Sequence, residues 1–180
     1  MNQHATPALG RARYAVAVFC ALLLAHHAAQ ASAVMERLGL VDVFMVSNSD
    51  SGKCLSKSGG ANLGQQFHGW RCNTKSPLQK FTLLERERGL YLIRTETGQL
   101  CLDVSGSAMK NGAPVVQWGC TGAANQLWEI IPDGGSKRFL LRVRHSGRCL
   151  NLDKAGEKVS TFVQRDCARG SKSQTFETVK

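Results

Sequence analysis

The sequence predicts an all-β domain built from three copies of one supersecondary unit. Three observations carry that expectation. Six cysteines fall at positions 54, 72, 101, 120, 149 and 167, in pairs separated by 18, 19 and 18 residues, and the pairs recur at intervals of 47 or 48. A Gln two residues before an aromatic keeps the same interval: Gln79 and Phe81, Gln126 and Trp128, Gln174 and Phe176. Short apolar runs stand between turn clusters, and no segment sustains a capped 3.6-residue pattern.

The first element in chain order is a leader. Arg11 and Arg13 form a positive start, residues 14–24 a compact apolar core, and Ala31-Ser32-Ala33 a small-residue cleavage site. Residues 1–33 therefore read as a signal peptide, 34–40 as a short N-terminal extension and 41–180 as the repeated domain. The apolar core is too short to span a bilayer comfortably, so no transmembrane segment is expected after cleavage. The seventh cysteine, Cys20, leaves with the leader. A secreted, periplasmic or extracellular location follows, and an even six cysteines in an exported chain imply disulfides, with 15 connectivities open.

Each repeat has room for about four short strands. Strand candidates are Val43-Phe44-Met45-Val46, the run from Leu90 to Ile93, and the alternation of Phe139, Leu141 and Val143 with Arg142 and Arg144. Turns are expected at Asn48-Ser49-Asp50-Ser51-Gly52, Asn111-Gly112 and Pro132-Asp133-Gly134-Gly135. A glycine lies shortly before the first cysteine of each pair (Gly52, Gly98, Gly147) and a leucine follows it (Leu55, Leu102, Leu150). Three units are too few for a propeller, which takes roughly 4–8 blades. Closure into one barrel-like core removes exposed sheet edges and gives Phe81, Trp128 and Phe176 a shared interior.

The run Cys-Leu-Asp-Val, Asn-Gly-Ala-Pro-Val, Trp-Gly-Cys and Asn-Gln-Leu-Trp, between residues 101 and 128, resembles one repeat of a ricin B-type lectin. The resemblance implies a β-trefoil with repeats at about 41–88, 89–136 and 137–180. It also implies one disulfide per repeat: Cys54–Cys72, Cys101–Cys120 and Cys149–Cys167. The matched separations of 18 or 19 support that pairing independently. No close Cys-x-x-Cys pair suggests a metal site, and no cofactor is expected.

In such a family each repeat can hold one shallow sugar site. An acid two residues after the first cysteine accepts hydrogen bonds from vicinal hydroxyls, because a carboxylate is an acceptor-only group able to bridge two donors. An aromatic two residues before the second cysteine offers a flat apolar platform. A Gln four residues before that cysteine and the Asn preceding Gln-x-Trp complete the set. The second repeat fits best, with Asp103, Trp118, Asn125 and Gln117 as the expected sugar-binding residues, although Val116 takes the Gln position and Gln117 falls one residue late. A weaker second site is expected in the first repeat, where Ser56, His68 and Trp70 stand at the acid, Gln and aromatic positions and Leu78 at the Asn position. The third repeat has Asn151, Val163, Arg165 and Ser173, with no stacking ring. Trp128 is assigned to the core and Gln126 to satisfying local backbone groups.

The formal charge of +10 concentrates at one end: residues 137–180 carry 11 basic and 4 acidic residues, against 10 and 9 in 34–136. An anion-binding patch at Arg142, Arg144 and Arg148 is one reading, a solvated face the other. Nucleic acid is not expected as a partner, for there is no Lys/Arg-rich helix or aromatic-basic RNA motif. Nor is an enzyme, for there is no Gly-x-Ser-x-Gly, no His-Glu-x-x-His, no Gly-rich phosphate loop before a helix, and only His68 and His145 remain after cleavage. The expectation is a secreted lectin binding glycans or glycoproteins through a terminal sugar such as galactose or N-acetylgalactosamine. The alternative is a receptor-binding or scaffolding subunit of a secreted bacterial toxin, partnered with a separate catalytic subunit and resembling the trefoil subunits of cytolethal distending toxins at fold level.

Overall fold

The computed structural model describes residues 21, 23, 25, 26, 28–30, 32–135, 137–154 and 157–179. It divides into two units, 1–35 and 36–180. In the first, the described residues from 21 onward are helical. Arg11, Arg13, residues 14–20 with Cys20, and Ala31 of the expected signal peptide lie outside the described residues. No described helix is long and apolar enough to cross a membrane.

The described residues of the second unit form twelve strands, four in each expected repeat. They are β1 (Met45–Asn48), β2 (Lys53–Ser56), β3 (His68–Arg71) and β4 (Phe81–Glu87); β5 (Leu90–Thr95), β6 (Leu100–Val104), β7 (Val115–Gly119) and β8 (Leu127–Pro132); and β9 (Phe139–Val143), β10 (Cys149–Asp153), β11 (Ser160–Arg165) and β12 (Phe176–Val179). The first and last strands of each repeat build the barrel. β1 pairs with β12, β12 with β9, β9 with β8, β8 with β5 and β5 with β4. Phe44 closes the ring: its N–H and carbonyl exchange hydrogen bonds of 2.9 Å with Phe81. With every barrel strand paired on both sides, no barrel edge is left open to another chain.

The middle strands of each repeat form hairpins, β2–β3, β6–β7 and β10–β11. These touch one another in a second ring through Gln66 and Val116, Pro114 and Val163, and Ser160 and Gly69. Gly69 permits the last approach, since a Cβ there would stand 2.9 Å from both Leu152 Cδ1 and Ser160 Oγ. The structure is thus a β-trefoil, with disulfides Cys54–Cys72, Cys101–Cys120 and Cys149–Cys167 as the resemblance implied.

Phe81, Trp128 and Phe176 are all fully buried, joined by Phe67, Phe139 and Phe162. Phe67 lies 6.2 Å from Phe81 and Phe162 lies 6.1 Å from Phe176, so hairpin aromatics pack on barrel aromatics. The repeated Gln has the same task three times. Gln79 accepts from the Asn73 N–H and donates to the Arg71 carbonyl; Gln126 accepts from Thr121 and donates to Gly119; Gln174 accepts from Ala168 and donates to Asp166. A buried amide that satisfies a loop's backbone at both ends fixes the chain between the second cysteine and the barrel.

Two local expectations shift. The first strand begins at Met45, while Val43 stays exposed ahead of the Phe44 bridge. The extension at 34–40 is no loose appendage where it approaches the barrel. Leu38 and Leu40 are buried, and the Leu38 carbonyl accepts a 2.8 Å bond from Thr178 Oγ1 on β12. Gly39, at φ 70°, turns the chain between them, and a Cβ there would meet Thr178 Oγ1 at 2.7 Å.

Candidate functional site

The cross-strand register of each hairpin sets the chemistry of its outer face. In the second repeat Cys101 lies opposite Trp118 and Asp103 opposite Val116. Alternation along the strands then places Asp103, Val116 and Trp118 on one face and Gln117 on the other. Asp103, Val116, Trp118 and Asn125 accordingly line a common depression of about 320 Å³, together with Ser105, Gly106 and Ser107.

Asp103 is nearly buried at its base, where Gln126 Nε2 donates to its Oδ2 at 2.9 Å. Burial raises its carboxyl above the usual range, opposed by side-chain hydrogen bonds from Gln126 and Asn125 and by the field of His145. Asn125 stands on the short turn Ala124–Gln126 and ties it to β6 by donating to the Val104 carbonyl at 3.0 Å. Trp118 is 42% exposed, so its ring is available as a platform. The site therefore offers one carboxylate, one amide and one aromatic face around an open concavity, the combination that orients a polyhydroxyl ring.

Gln117 does not join this group. It is fully buried and donates to the Asn62 carbonyl at 2.6 Å, bracing the first repeat. The reason is the period of two: a residue one place late on a strand faces the opposite side. Val116, in the expected Gln position, supplies an apolar wall.

Two contributors escaped sequence reasoning, a turn and a histidine. Ser105–Ser107 forms a tight turn with Gly106 at φ 62° and Ser107 at φ 50°; the Ser-Gly-Ser cluster that begins two residues after the acid was its signal. His145, from the third repeat, donates through Nε2 to the Ala108 carbonyl at 3.1 Å, while its backbone N–H donates to Ala124. It so ties together the two segments that carry the serine turn and Asn125.

The other repeats differ. In the first, Ser56, His68 and Trp70 do line one depression, of about 340 Å³, with Lys57, Arg71 and Leu78. His68 meets Trp70 edge to face at 6.1 Å. Without the acid, hydroxyl recognition there loses its strongest acceptor. In the third, the polar set is closed on itself. Asn151 donates to Asp153 at 2.7 Å and accepts from Ser173 at 3.0 Å, and Arg165 clasps Asp153 with bonds of 2.9 and 2.6 Å.

The three arginines of the possible anion patch each have a carboxylate partner. Arg142 donates to Glu129, its partner across β8–β9, at 2.8 Å; Arg144 pairs with Glu87; Arg148 lies 3.0 Å from Asp166. Each guanidinium is neutralised by a carboxylate brought in from another strand or loop.

A family model for the ricin-type β-trefoil lectin domain matches residues 42–176, and the chain belongs to that family, whose domain is carbohydrate-binding and non-catalytic. No curated protein matches it in sequence. Among solved structures, the designed threefold-symmetric protein ThreeFoil superposes with a TM-score of 0.71 at 24% identity, covering 77% of this chain and 98% of that one. The exo-β-1,3-galactanase of Clostridium thermocellum matches at 0.71 and 24%, with 77% of this chain corresponding to 30% of the enzyme. A chain of the cytolethal distending toxin of Actinobacillus actinomycetemcomitans matches at 0.61 and 12%, covering 77% of this chain and 89% of that one. At these identities the likeness is one of fold.

Proposed function

We propose that this chain is a secreted lectin that takes a terminal sugar, galactose or N-acetylgalactosamine by class, through the second repeat. One observation supports the reading most: a carboxylate, an exposed ring and an Asn converge on one open depression there, with Asp103, Trp118 and Asn125 in those roles. Asp103 would bridge vicinal hydroxyls, Trp118 would stack on the apolar face of the ring and Asn125 would supply a further polar contact. The first-repeat depression around Ser56, His68 and Trp70 would act as a weaker site. Three disulfides fit export through the leader at 1–33. Galactose is the class to test first because the galactanase, a fold neighbour, acts on a galactose polymer.

A glycan array probed at low and high salt tests this. Binding to terminal galactosides that persists at high salt is expected, because a neutral ring held by hydrogen bonds and stacking is little screened. An array with no galactoside signal at either salt overturns the reading. The second reading, a receptor-binding or scaffolding toxin subunit, draws on the near-complete coverage of the distending-toxin chain; a stable complex with another secreted polypeptide in culture medium would favour it.

The acid predicts a pH response in which binding and stability move in opposite directions. Sugar recognition needs the ionised carboxylate, so affinity falls as pH drops through the raised pKa of Asp103, sooner than for a solvated aspartate. A folded-state pKa above the unfolded one means that the native state holds the proton more tightly, so protonation in that window adds stability. Galactoside affinity and thermal midpoint measured across the mildly acidic range check this. Parallel loss of both would remove Asp103 as the titrating cause.

A further inference from the structure

A separate groove lies beside the β2–β3 hairpin. Trp70 and Arg71 line both it and the first-repeat depression, but the remaining walls differ: Lys53, Gly69, Glu157 and Lys158. Lys53 and Arg71 are direct cross-strand partners, so their side chains share one face of the hairpin; Ser56, His68 and Trp70 alternate onto the other, which puts Trp70 at the border between the two depressions it lines. The groove measures about 490 Å³ against about 320 Å³ at Asp103. Trp70 is 56% exposed at its wall.

Its electrostatics set it apart. Arg142, Arg144, Arg148 and Arg165 are each bound to a carboxylate. Among the described residues, no ion pair of this kind engages Lys53, Arg71 or Lys158. Lys53 Nζ is held instead by neutral acceptors, the Glu157 carbonyl at 2.5 Å and Ser160 Oγ at 2.9 Å, which fix its position without cancelling its charge and leave a third N–H. The groove has one carboxylate, Glu157, and that lies 3.8 Å from Lys154 Nζ. Three cations and one anion thus line the groove, with the exposed indole at its border.

We propose that this groove binds an acidic oligosaccharide, with Trp70 stacking on a pyranose face and Lys53, Arg71 and Lys158 receiving its sulfate or carboxylate groups. Like charges held on one face attract a ligand whose anions are spaced along a chain, and the ring supplies what charge alone does not, a flat apolar contact. The choice of a saccharide rests on the glycan-binding reading; the choice of an anionic one rests on the groove.

Calorimetric titration of the protein with a heparin hexasaccharide and with an oligogalacturonate separates sulfate from carboxylate recognition. Binding of at least one is expected, weakened about tenfold by the pair R71Q/K158Q and also by W70A, all at exposed positions. The control pair K110Q/K137Q removes the same charge from exposed positions outside the groove and is expected to leave affinity unchanged. A neutral galactoside titrated into K158Q, at a residue that lines this groove and not the first-repeat depression, should bind as it does to the parent, which keeps this test apart from those of the two sugar sites. Three results overturn the proposal: neither acidic saccharide binds, the control pair weakens binding equally, or an oligothymidylate of equal charge binds as tightly as the saccharides.

Discussion

Asp103→Asn is expected to weaken galactoside binding about a hundredfold while leaving the fold intact. The carboxylate is the strongest acceptor in the depression, and hydrogen bonds to a charged group contribute roughly 1.5–3 kcal/mol each, so loss of a bridged pair is enough. The fold has less to lose. Gln126 Nε2, which donates to Asp103 Oδ2, also donates to the Gly119 carbonyl at 2.7 Å and keeps that bond. Burial already disfavours the ionised form of Asp103, so a neutral amide relieves a desolvation cost even as it loses charge-assisted bonds. Trp118→Ala provides the second arm. Its ring is 42% exposed, so removal should change stability by about 0.5 kcal/mol or less while costing about tenfold or more in affinity. Titration with a galactoside and denaturant melts of both variants check this pair. Binding unchanged in both would place the sugar elsewhere on the domain.

How far the site could be read in advance followed from where its parts lie in the chain. Asp103, Trp118 and Asn125 sit at fixed offsets from the cysteines and the Gln-x-aromatic motif. Once the unit is recognised, position in the sequence becomes position in the hairpin. The disulfides and the buried Phe81, Trp128 and Phe176 were legible for the same reason. Gln117 was not, because proximity in sequence competes with alternation, and a one-residue offset changes the face a side chain occupies. The arginines were left with two readings for a different reason. Their charge was visible, but their partners Glu87, Glu129 and Asp166 reach them through strand pairing and loop packing that composition does not reveal. His145 belongs to the third repeat yet braces the second, a contact between copies that no offset within one repeat encodes. The burial of Leu38 and Leu40 likewise depends on where β12 lies.

Trp128→Ala is expected to be among the most damaging single changes to the fold, at about 3–5 kcal/mol. The indole is wholly buried in the barrel, and its Nε1 donates to the Leu102 carbonyl at 3.1 Å, linking barrel strand β8 to hairpin strand β6. Truncation leaves a cavity in a closed barrel, where paired strands limit collapse, and strands a buried carbonyl without its donor. Against a total stability of about 5–15 kcal/mol, that approaches unfolding at physiological temperature. Trp128→Phe separates the two contributions. The equivalent positions of the other repeats are Phe81 and Phe176, both buried, so this threefold interior already accepts phenyl rings. That variant should lose only the indole hydrogen bond and part of the volume, about 1–3 kcal/mol. Urea unfolding with the three disulfides intact measures both. A midpoint for Trp128→Ala equal to that of the parent would show that the barrel closes around the gap. Equal losses for Ala and Phe would instead locate the stabilisation in the link to Leu102 rather than in the packing of the ring.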